Sequence, residues 1–377
     1  MANRLSRKLA GFDPSLPIEQ ARTIPASWYH DRAIAEAERR SVFGATWQLA
    51  ARLEQVAAPG DYCTADLAGE PVVVVRGDDG VLRAFSNVCR HRAARVMEQA
   101  EGCATRLRCR YHGWTYDLAG RLRGTPEFDG VADFRREDQG LTPLRVATWG
   151  PFVWVHLDAE PPTLDQTLEP LTRRIGHLGL AALRWVERRE YRLECNWKVF
   201  VDNYLDGGYH VNTVHPALAG VLDYAHYRTD LDGEISVQTS PIQAVDAPIG
   251  SVRSGENAYY AWVFPNTMVN VYHGVMDTNQ VYPLGPDRCR VLFDFYFAET
   301  DGPDSARTIA ESIALADQIQ QEDIGICEEV QRGLASRFYE TGRFCVRREA
   351  SVYQFHRLLA DRLRAIAGAE SEVVSDR

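Results

Sequence analysis

Four side chains able to bind a metal stand at an informative spacing. Cys89 and His91 form a Cys-x-His pair, and Cys109 and His112 a Cys-x-x-His pair, with seventeen residues between them. Two thiolates and two imidazoles on two short clamps suit a [2Fe-2S] cluster in which one iron takes both cysteines and the other both histidines. Neutral imidazoles carry less negative charge than thiolates, so such a cluster accepts an electron more readily. The same four ligands would also satisfy a tetrahedral zinc site. Cys103 lies between the clamps without a histidine at either spacing and reads as a small structural hydrophobe.

A second constellation lies downstream. His210 and His215 stand five apart, with Asp206 four residues before the first and Asn203 upstream of both. A mononuclear Fe(II) oxygenase needs two histidines and one carboxylate on one face of the metal, leaving open positions for oxygen and substrate. The helical stretch DSARTIAESIALADQIQQEDIGICEEVQRGL places Ile309, Ile313, Ala316, Ile319, Asp323, Cys327 and Val330 at spacings of three and four. Asp323 therefore falls on an apolar face, where a carboxylate is costly unless something positive compensates it. Asp317, Glu322 and Glu328 fall elsewhere and read as solvated helix charges. A one-electron carrier upstream would need an acceptor, and a metal held here would be one.

These residues need a scaffold. PVVVVRG, DDG and VLRAF read as strand, tight turn and strand, and further short strands are expected at TRLRCR, TYD and PFVWVHL. The clamps then sit on loops of a small antiparallel β domain over residues 41–158, with Pro161 and Pro162 at its exit. Residues 1–40 read as an extended arm and a helix capped at Ser27, packing on a second domain over residues 159–377. That domain opens with the strand RREYRLECNW and the helical KVFVDNYL. It continues with YYAWVFPN, MVNVYHG, TNQVYPLGP and RCRVLFDFYFA, strands expected to wall a pocket. In the last, Val291, Phe293, Phe295 and Phe297 share one face, and Leu292, Asp294 and Tyr296 the other. Tyr260, Trp262 and Tyr272 are candidates for an aromatic box, which would attract a desolvated quaternary ammonium ion by about 2 kcal/mol.

Composition narrows the class. The chain has 377 residues, 45% hydrophobic and 25% charged, enough for two ordinary globular domains. A net charge of -10 without a basic block argues against a nucleic-acid partner. No apolar run reaches the length of a membrane span, the N-terminus lacks the apolar core of a signal peptide, and the eight cysteines are scattered, so a cytoplasmic protein is expected. No G-x-G-x-x-G follows a strand, so NAD(P)H would act only through a separate reductase.

CRYHGWTYD resembles the second half of the Rieske motif in ring-hydroxylating oxygenase alpha subunits, and NYLDGGYHVNTVH resembles their Asn-x-x-acid-x-x-His-x4-His motif. Here the acid stands one residue further from His210 than in most of them. NYLDGGYH, QQEDIGICEEVQRGL, MDTNQVYPLGP and REASVYQFHRLL are most similar to the choline monooxygenase branch, and the likeness runs from about Pro25 to Leu359. The resemblance implies a Rieske non-haem iron oxygenase of α+β class. Such a protein pairs a small antiparallel β domain, holding a [2Fe-2S] cluster on Cys89, His91, Cys109 and His112, with a helix-grip catalytic domain. In the latter a curved antiparallel sheet surrounds a long helix, and His210, His215 and Asp323 hold Fe(II). It also implies O2 as co-substrate, a separate reductase or ferredoxin, and a homotrimer in which Asp206 bridges to a Rieske histidine of the next subunit. Asn203 is carried over as the asparagine of the same motif. The expected reaction is hydroxylation or N-demethylation of a small, choline-like methylated ammonium compound. One alternative is an aromatic acid or amine, which a pocket arginine such as Arg253 or Arg290 would favour. Another is a Rieske electron-transfer protein or zinc-stabilised module without mononuclear iron.

Overall fold

The structure is a computed structural model describing residues 2–243 and 253–375. It divides into two compact units, Phe43–Thr167 and the combination of Met1–Val42 with Leu168–Arg377. Among the described residues no helix is long and apolar enough to cross a membrane.

The first unit is built on a seven-stranded antiparallel sheet. Its order is β1 (Gln48–Arg52), β10 (Phe152–His156), β9 (Pro143–Trp149), β4 (Leu82–Ser86), β3 (Glu70–Arg76), β2 (Asp61–Leu67) and β5 (Glu101–Cys103). The valine run explains its centre. Strand side chains alternate between faces, so Val73 and Val75 join one apolar cluster while Val72 and Val74 join another. β3 and β4 form the hairpin expected at Asp-Asp-Gly, closed by Gly77 N–H donating to the Val81 carbonyl at 2.9 Å. A small sheet of β6 (Leu107–Arg108), β7 (Thr115–Tyr116) and β8 (Leu122–Gly124) carries the second clamp.

The second unit begins with helices α1 (Ala2–Leu9) and α2 (Arg32–Glu38). Asp31, rather than the expected Ser27, caps α2; its carboxylate accepts from the Ala33 and Ile34 N–H groups at 2.8 and 3.3 Å. A carboxylate serves two orphan donors and complements the positive helix end, whereas Ser27 lies inside a 3-10 turn that follows Pro25. The large sheet is antiparallel throughout and curled. Its order is β11 (Arg184–Leu193), β17 (Cys289–Phe297), β16 (Val275–Pro283), β15 (Thr267–Tyr272), β14 (Asn257–Val263), β13 (Ile235–Pro241) and β12 (Arg228–Asp232). Helices α3 (Trp197–Leu205), α4 (Ser305–Leu334) and α5 (Ala350–Ser375) pack with it.

The acids expected to be solvated on α4 instead tie it down. Asp317 accepts from the Tyr191 hydroxyl, and Glu328 from the Glu194 N–H at 3.1 Å. Asp294, on the polar face of β17, is buried but held by Arg188 at 2.6 and 2.9 Å and by the Trp185 indole at 2.8 Å.

One buried ion pair joins the end of α2 to α3. Lys198 Nζ lies 2.6 Å from Glu38 Oε1, and the Trp197 indole donates to the other carboxylate oxygen at 2.9 Å. Both charges are out of water, so removing one strands the other. Lys198→Met is expected to destabilise the fold by about 3–5 kcal/mol, and the double substitution Glu38→Gln, Lys198→Met to recover much of that loss, as measured by urea denaturation.

Candidate functional site

The first two clamps share one construction. Cys89 lies in the loop after β4, and Cys109 just after β6. In each, the residue four beyond the cysteine returns its N–H to the cysteine carbonyl at 3.0 Å, Ala93 in the first loop and Gly113 in the second. Both adopt left-handed backbone, with φ of 59° and 72°. Glycine takes that conformation without penalty and alanine does not, so the first loop carries local strain. Cys89 and Cys109 are buried, and the His91 and His112 rings stand 4.6 Å apart between centroids. His91 stacks on Trp114 at 4.9 Å, and its Nδ1 is buried with no hydrogen-bond partner. A buried imidazole nitrogen without a partner beside two sulfurs is what a metal cluster would fill. The donor set fits [2Fe-2S].

Tyr116 stands against this site. Its hydroxyl accepts from Arg90 N–H at 3.1 Å and lies 3.5 Å from Cys89 Sγ, leaving its own proton to point at sulfur. Burial, then Cys89 itself, push the phenol well above its ordinary pKa and keep it a donor. Cys103 is exposed on β5, outside both clamps, rather than a buried hydrophobe.

The second constellation forms where α3 ends. Asn196 caps α3 by accepting from Lys198 N–H at 3.0 Å, and the helix stops at Asp206. Gly207 and Gly208 follow, with φ of 70° and 71°. A Cβ on Gly207 would lie 2.3 Å from the Arg348 carbonyl oxygen, and one on Gly208 would lie 3.0 Å from the Tyr227 ring, so this turn needs both glycines. The turn delivers His210 to the start of the short helix Val211–Val214 and His215 to its end, where Pro216 opens the next.

Helix α4 supplies the third donor. His215 Nε2 lies 3.1 Å from His210 Nε2 and 3.1 Å from Asp323 Oδ1, and His210 Nε2 lies 3.7 Å from the same oxygen. The other nitrogens are already committed: His210 Nδ1 to Asp206 Oδ2 at 2.6 Å, and His215 Nδ1 to Glu322 Oε2 at 2.7 Å. Asn203 Nδ2 donates to Asp323 Oδ1 at 2.7 Å. With both Nδ1 protons spent on carboxylates, two Nε2 lone pairs and one carboxylate oxygen converge on one point. A divalent cation resolves that repulsion, so the residues fit a mononuclear metal. Without one, burial would depress the His215 imidazole, but Asp323 and then Glu322 more than offset it and raise its pKa.

Glu322, which reads from the sequence as a solvated charge, is instead the partner of His215. A signal was present in Gln-Glu-Asp, because a metal-binding histidine nearly always gives its second N–H to an acceptor, and an acid beside Asp323 was available.

The triad opens on a cavity of about 110 Å³. The sheet contributes Tyr260, Asn270 and Asp277 from paired positions on β14, β15 and β16. Tyr204, Tyr227, Tyr272, Phe293 and Arg253 complete the described wall that matters for recognition. Tyr204 donates to Asn270 Oδ1 at 2.8 Å, and Asn270 and Asn279 donate to Asp277 Oδ1 at 2.8 and 3.1 Å. Trp262 does not reach this space. It shares the sheet face of Tyr260, but α5 covers its position, where it packs 5.7 Å from Phe355 with its indole donating to Pro265 O at 3.1 Å. Tyr272 lines the cavity, yet its face already holds Arg253, 4.5 Å from the ring centroid. Arg290 lies instead over Tyr282. His226, exposed, pairs with Asp223 at 2.8 Å.

Comparison with known proteins places this geometry. The Rieske [2Fe-2S] domain family matches residues 46–135, and the ring hydroxylating alpha subunit (catalytic domain) family matches residues 180–365. The chain belongs to the Rieske non-haem iron oxygenases, and with that family come a [2Fe-2S] cluster, a mononuclear iron and dependence on an external electron donor. Within the family it is 38% identical to the chloroplastic choline monooxygenase of Arabidopsis thaliana, over 96% of this chain and 87% of that protein. It is 29% identical to the carnitine monooxygenase oxygenase subunit of Escherichia coli K12, over 91% of this chain and 94% of that subunit. A quaternary ammonium Rieske monooxygenase in complex with L-carnitine superposes with a TM-score of 0.79 at 28% identity, covering 92% of this chain and 99% of that one. Naphthalene 1,2-dioxygenase from a Rhodococcus shares the fold, with a TM-score of 0.76 at 20% identity over 96% of this chain and 98% of that one.

Two substitutions separate the centres. Tyr116→Phe removes a donor to sulfur, which favours the more negative, reduced cluster, so its potential should fall by about 20–60 mV in a redox titration. Glu322→Ala should weaken mononuclear iron binding by about 10- to 100-fold, read as iron lost on dialysis while the cluster absorbance is unchanged.

Proposed function

We propose that the chain is a terminal oxygenase that hydroxylates or N-demethylates a small methylated ammonium compound. In this reading Cys89, His91, Cys109 and His112 hold the [2Fe-2S] cluster, and His210, His215 and Asp323 hold the mononuclear iron. Bound there, the two centres supply stored electrons and oxygen activation at open metal positions. The chain's own residues prepare that chemistry. Asp206 and Glu322 keep both imidazoles in the tautomer that turns Nε2 inward, and Asn203 fixes the Asp323 carboxylate. Tyr204, Tyr227 and Tyr260 exclude water and offer aromatic surface to a cation.

The observation that carries the reading is the tyrosine-walled cavity opening on three converging donors, in a chain whose relatives act on choline and carnitine. The overall change balances as R3N+–CH3 + O2 + 2 e− + 2 H+ giving R3N+–CH2OH + H2O. Loss of formaldehyde and a proton then leaves the amine. The electrons come from a reductase or ferredoxin.

A homotrimer, with Asp206 bridging to a Rieske histidine of the next subunit, belongs to the same reading. Asp206 lies in a second hollow whose wall carries Ile326, Val330 and Tyr339, apolar side chains that are 38%, 44% and 43% exposed. Exposed apolar groups beside a polar relay suit a protein contact. A cytoplasmic setting suits eight cysteines with no disulfide. A second reading, an aromatic acid as substrate, draws on Arg253 in the cavity wall.

Anaerobically reduced protein should be mixed with O2 and choline, carnitine or benzoates, and products identified by mass spectrometry. Hydroxylated or demethylated ammonium products are expected. Turnover of benzoates alone would overturn the ammonium assignment.

A further inference from the structure

We propose that Gln320 is a specificity residue, its side-chain amide donating a hydrogen bond to an oxygen atom of the bound substrate and so fixing which carbon faces the metal donors. The proposal rests on the ammonium reading above and concerns the part of the substrate beside the nitrogen.

Gln320 lines the cavity from α4 and is 2% exposed, with its Nε2 buried and without a hydrogen-bond partner. An amide nitrogen carries two N–H groups, and hiding them from water with no acceptor costs folding free energy. The rest of the wall is satisfied. Arg253 donates to Ser312 Oγ on α4 at 2.9 Å, Tyr272 to the Tyr260 hydroxyl at 3.0 Å, and Tyr227 to Gln238 at 3.1 Å. Asn203, Tyr204, Asn270 and Asn279 have the acceptors already described. Among the described polar side chains of this wall, Gln320 alone makes no hydrogen bond.

Packing does not account for a glutamine here. Position 320 shares a helix face with Ile313 and Ala316, both buried, and leucine would fill a similar volume without hiding a donor. Nor does the amide fold back on its own helix, since no backbone carbonyl accepts from it. The missing acceptor therefore arrives with the occupant of the cavity. A site that keeps a buried donor for its ligand rejects an analogue lacking the acceptor far better than an apolar wall rejects one of the wrong size.

Its place on α4 says which part of the occupant the amide reaches. Gln320 and Asp323 are three residues apart on one face, about 4.5 Å of rise, so the amide sits within a turn of the converging donors. A quaternary ammonium group has neither a donor nor an acceptor, and tyrosine rings hold it by their faces without fixing its rotation. A hydrogen bond to a neighbouring oxygen supplies that constraint. A neutral amide does so without adding a charge beside Asp323 and Asp277, which line the same wall.

The test compares choline with n-propyl-trimethylammonium, which carries a methyl group in place of the hydroxyl, using the holoprotein. Binding is read by calorimetry, and product per O2 consumed after a single turnover of the reduced protein. The two compounds also differ in hydrophobicity, so the quantity compared is the ratio of their Kd values in wild type and in Gln320→Leu. Removing the amide should move that ratio against choline by about 5- to 50-fold, with n-propyl-trimethylammonium bound at least as tightly as before. Choline product per O2 should fall as well. The thermal midpoint of the substrate-free variant should rise by about 2 °C, because an unpartnered buried donor is gone, whereas a merely structural glutamine would lower it. Gln320→Met, unbranched and similar in length, carries the test if leucine does not fit. A ratio unchanged in both variants, equal losses for both compounds, or a lowered midpoint in both variants would overturn the role of Gln320 while leaving ammonium oxidation standing. Failure of the wild type to bind either ammonium compound would instead overturn the underlying reading.

Discussion

Two imidazole nitrogens 3.1 Å apart, each on a ring whose other nitrogen faces a carboxylate, are the constraint on which the second unit is built. Asp206 and Glu322 create it by taking the Nδ1–H of His210 and of His215. Asp323 adds a negative oxygen at the point where the lone pairs meet, and Asn203 holds that oxygen in place. Three carboxylates around two imidazoles in a small, partly buried space make a net negative site, most of whose charge a divalent cation offsets and water alone would not. The double-glycine turn, the short helix between the histidines and the burial of α4 all serve to bring these donors together. In the first unit two left-handed turns do the equivalent work for two cysteines and two histidines.

Much of this was legible because ligand type and spacing are local properties. The four clamp residues and the histidine pair fall within short stretches, and α4 announces itself by a long apolar periodicity with Asp323 on the wrong face for a solvated acid. The curled sheet could be read from alternation in RCRVLFDFYFA and its neighbours. Two of the failures share a cause, since they concern side chains whose role depends on an element distant in sequence, and the third is local. Trp262 has the parity of Tyr260, and nothing local says that α5 covers one and leaves the other open. Glu322 looks like any charge on a helix until His215, 107 residues earlier, is placed against it. Asp31 outcompetes Ser27 as a cap because the chain between them is already used by a 3-10 turn.

The cavity departs from a plain aromatic box in a physically coherent way. MDTNQVYP carries four consecutive polar residues, Asp277 to Gln280, along a buried strand, and the structure shows why that is tolerated. Asp277 is satisfied by Asn270 and Asn279, and Asn270 in turn by the Tyr204 hydroxyl. Tyr227 and Gln238 extend the network at 3.1 Å, and Gln238 returns to the Tyr204 carbonyl at 2.8 Å. Each polar group spends its hydrogen bonds on the next, so the tyrosine rings are held with defined orientation instead of filling space as phenylalanines would. A cavity built this way selects by where its charges and ring faces point, and its apolar area contributes comparatively little discrimination.

The position of α4 sets all of this, because the same helix carries Ser312, Asp323 and Glu322. Packing alone would leave a long helix free to slide by small amounts along a smooth apolar surface, and metal donors do not tolerate such slack, needing to be held within about 0.5 Å. Two acids along the helix remove that freedom, Asp317 through Tyr191 and Glu328 through the backbone after β11. Between them Cys327 lies one turn beyond Asp323, buried beside Cys195, whose sulfur is 3.9 Å from that of Cys289. Small side chains at these three positions let the helix approach the start of β17 closely. Charge fixes the register of α4, small residues fix its depth, and the placement of Asp323 and Glu322 against the two histidines follows from both.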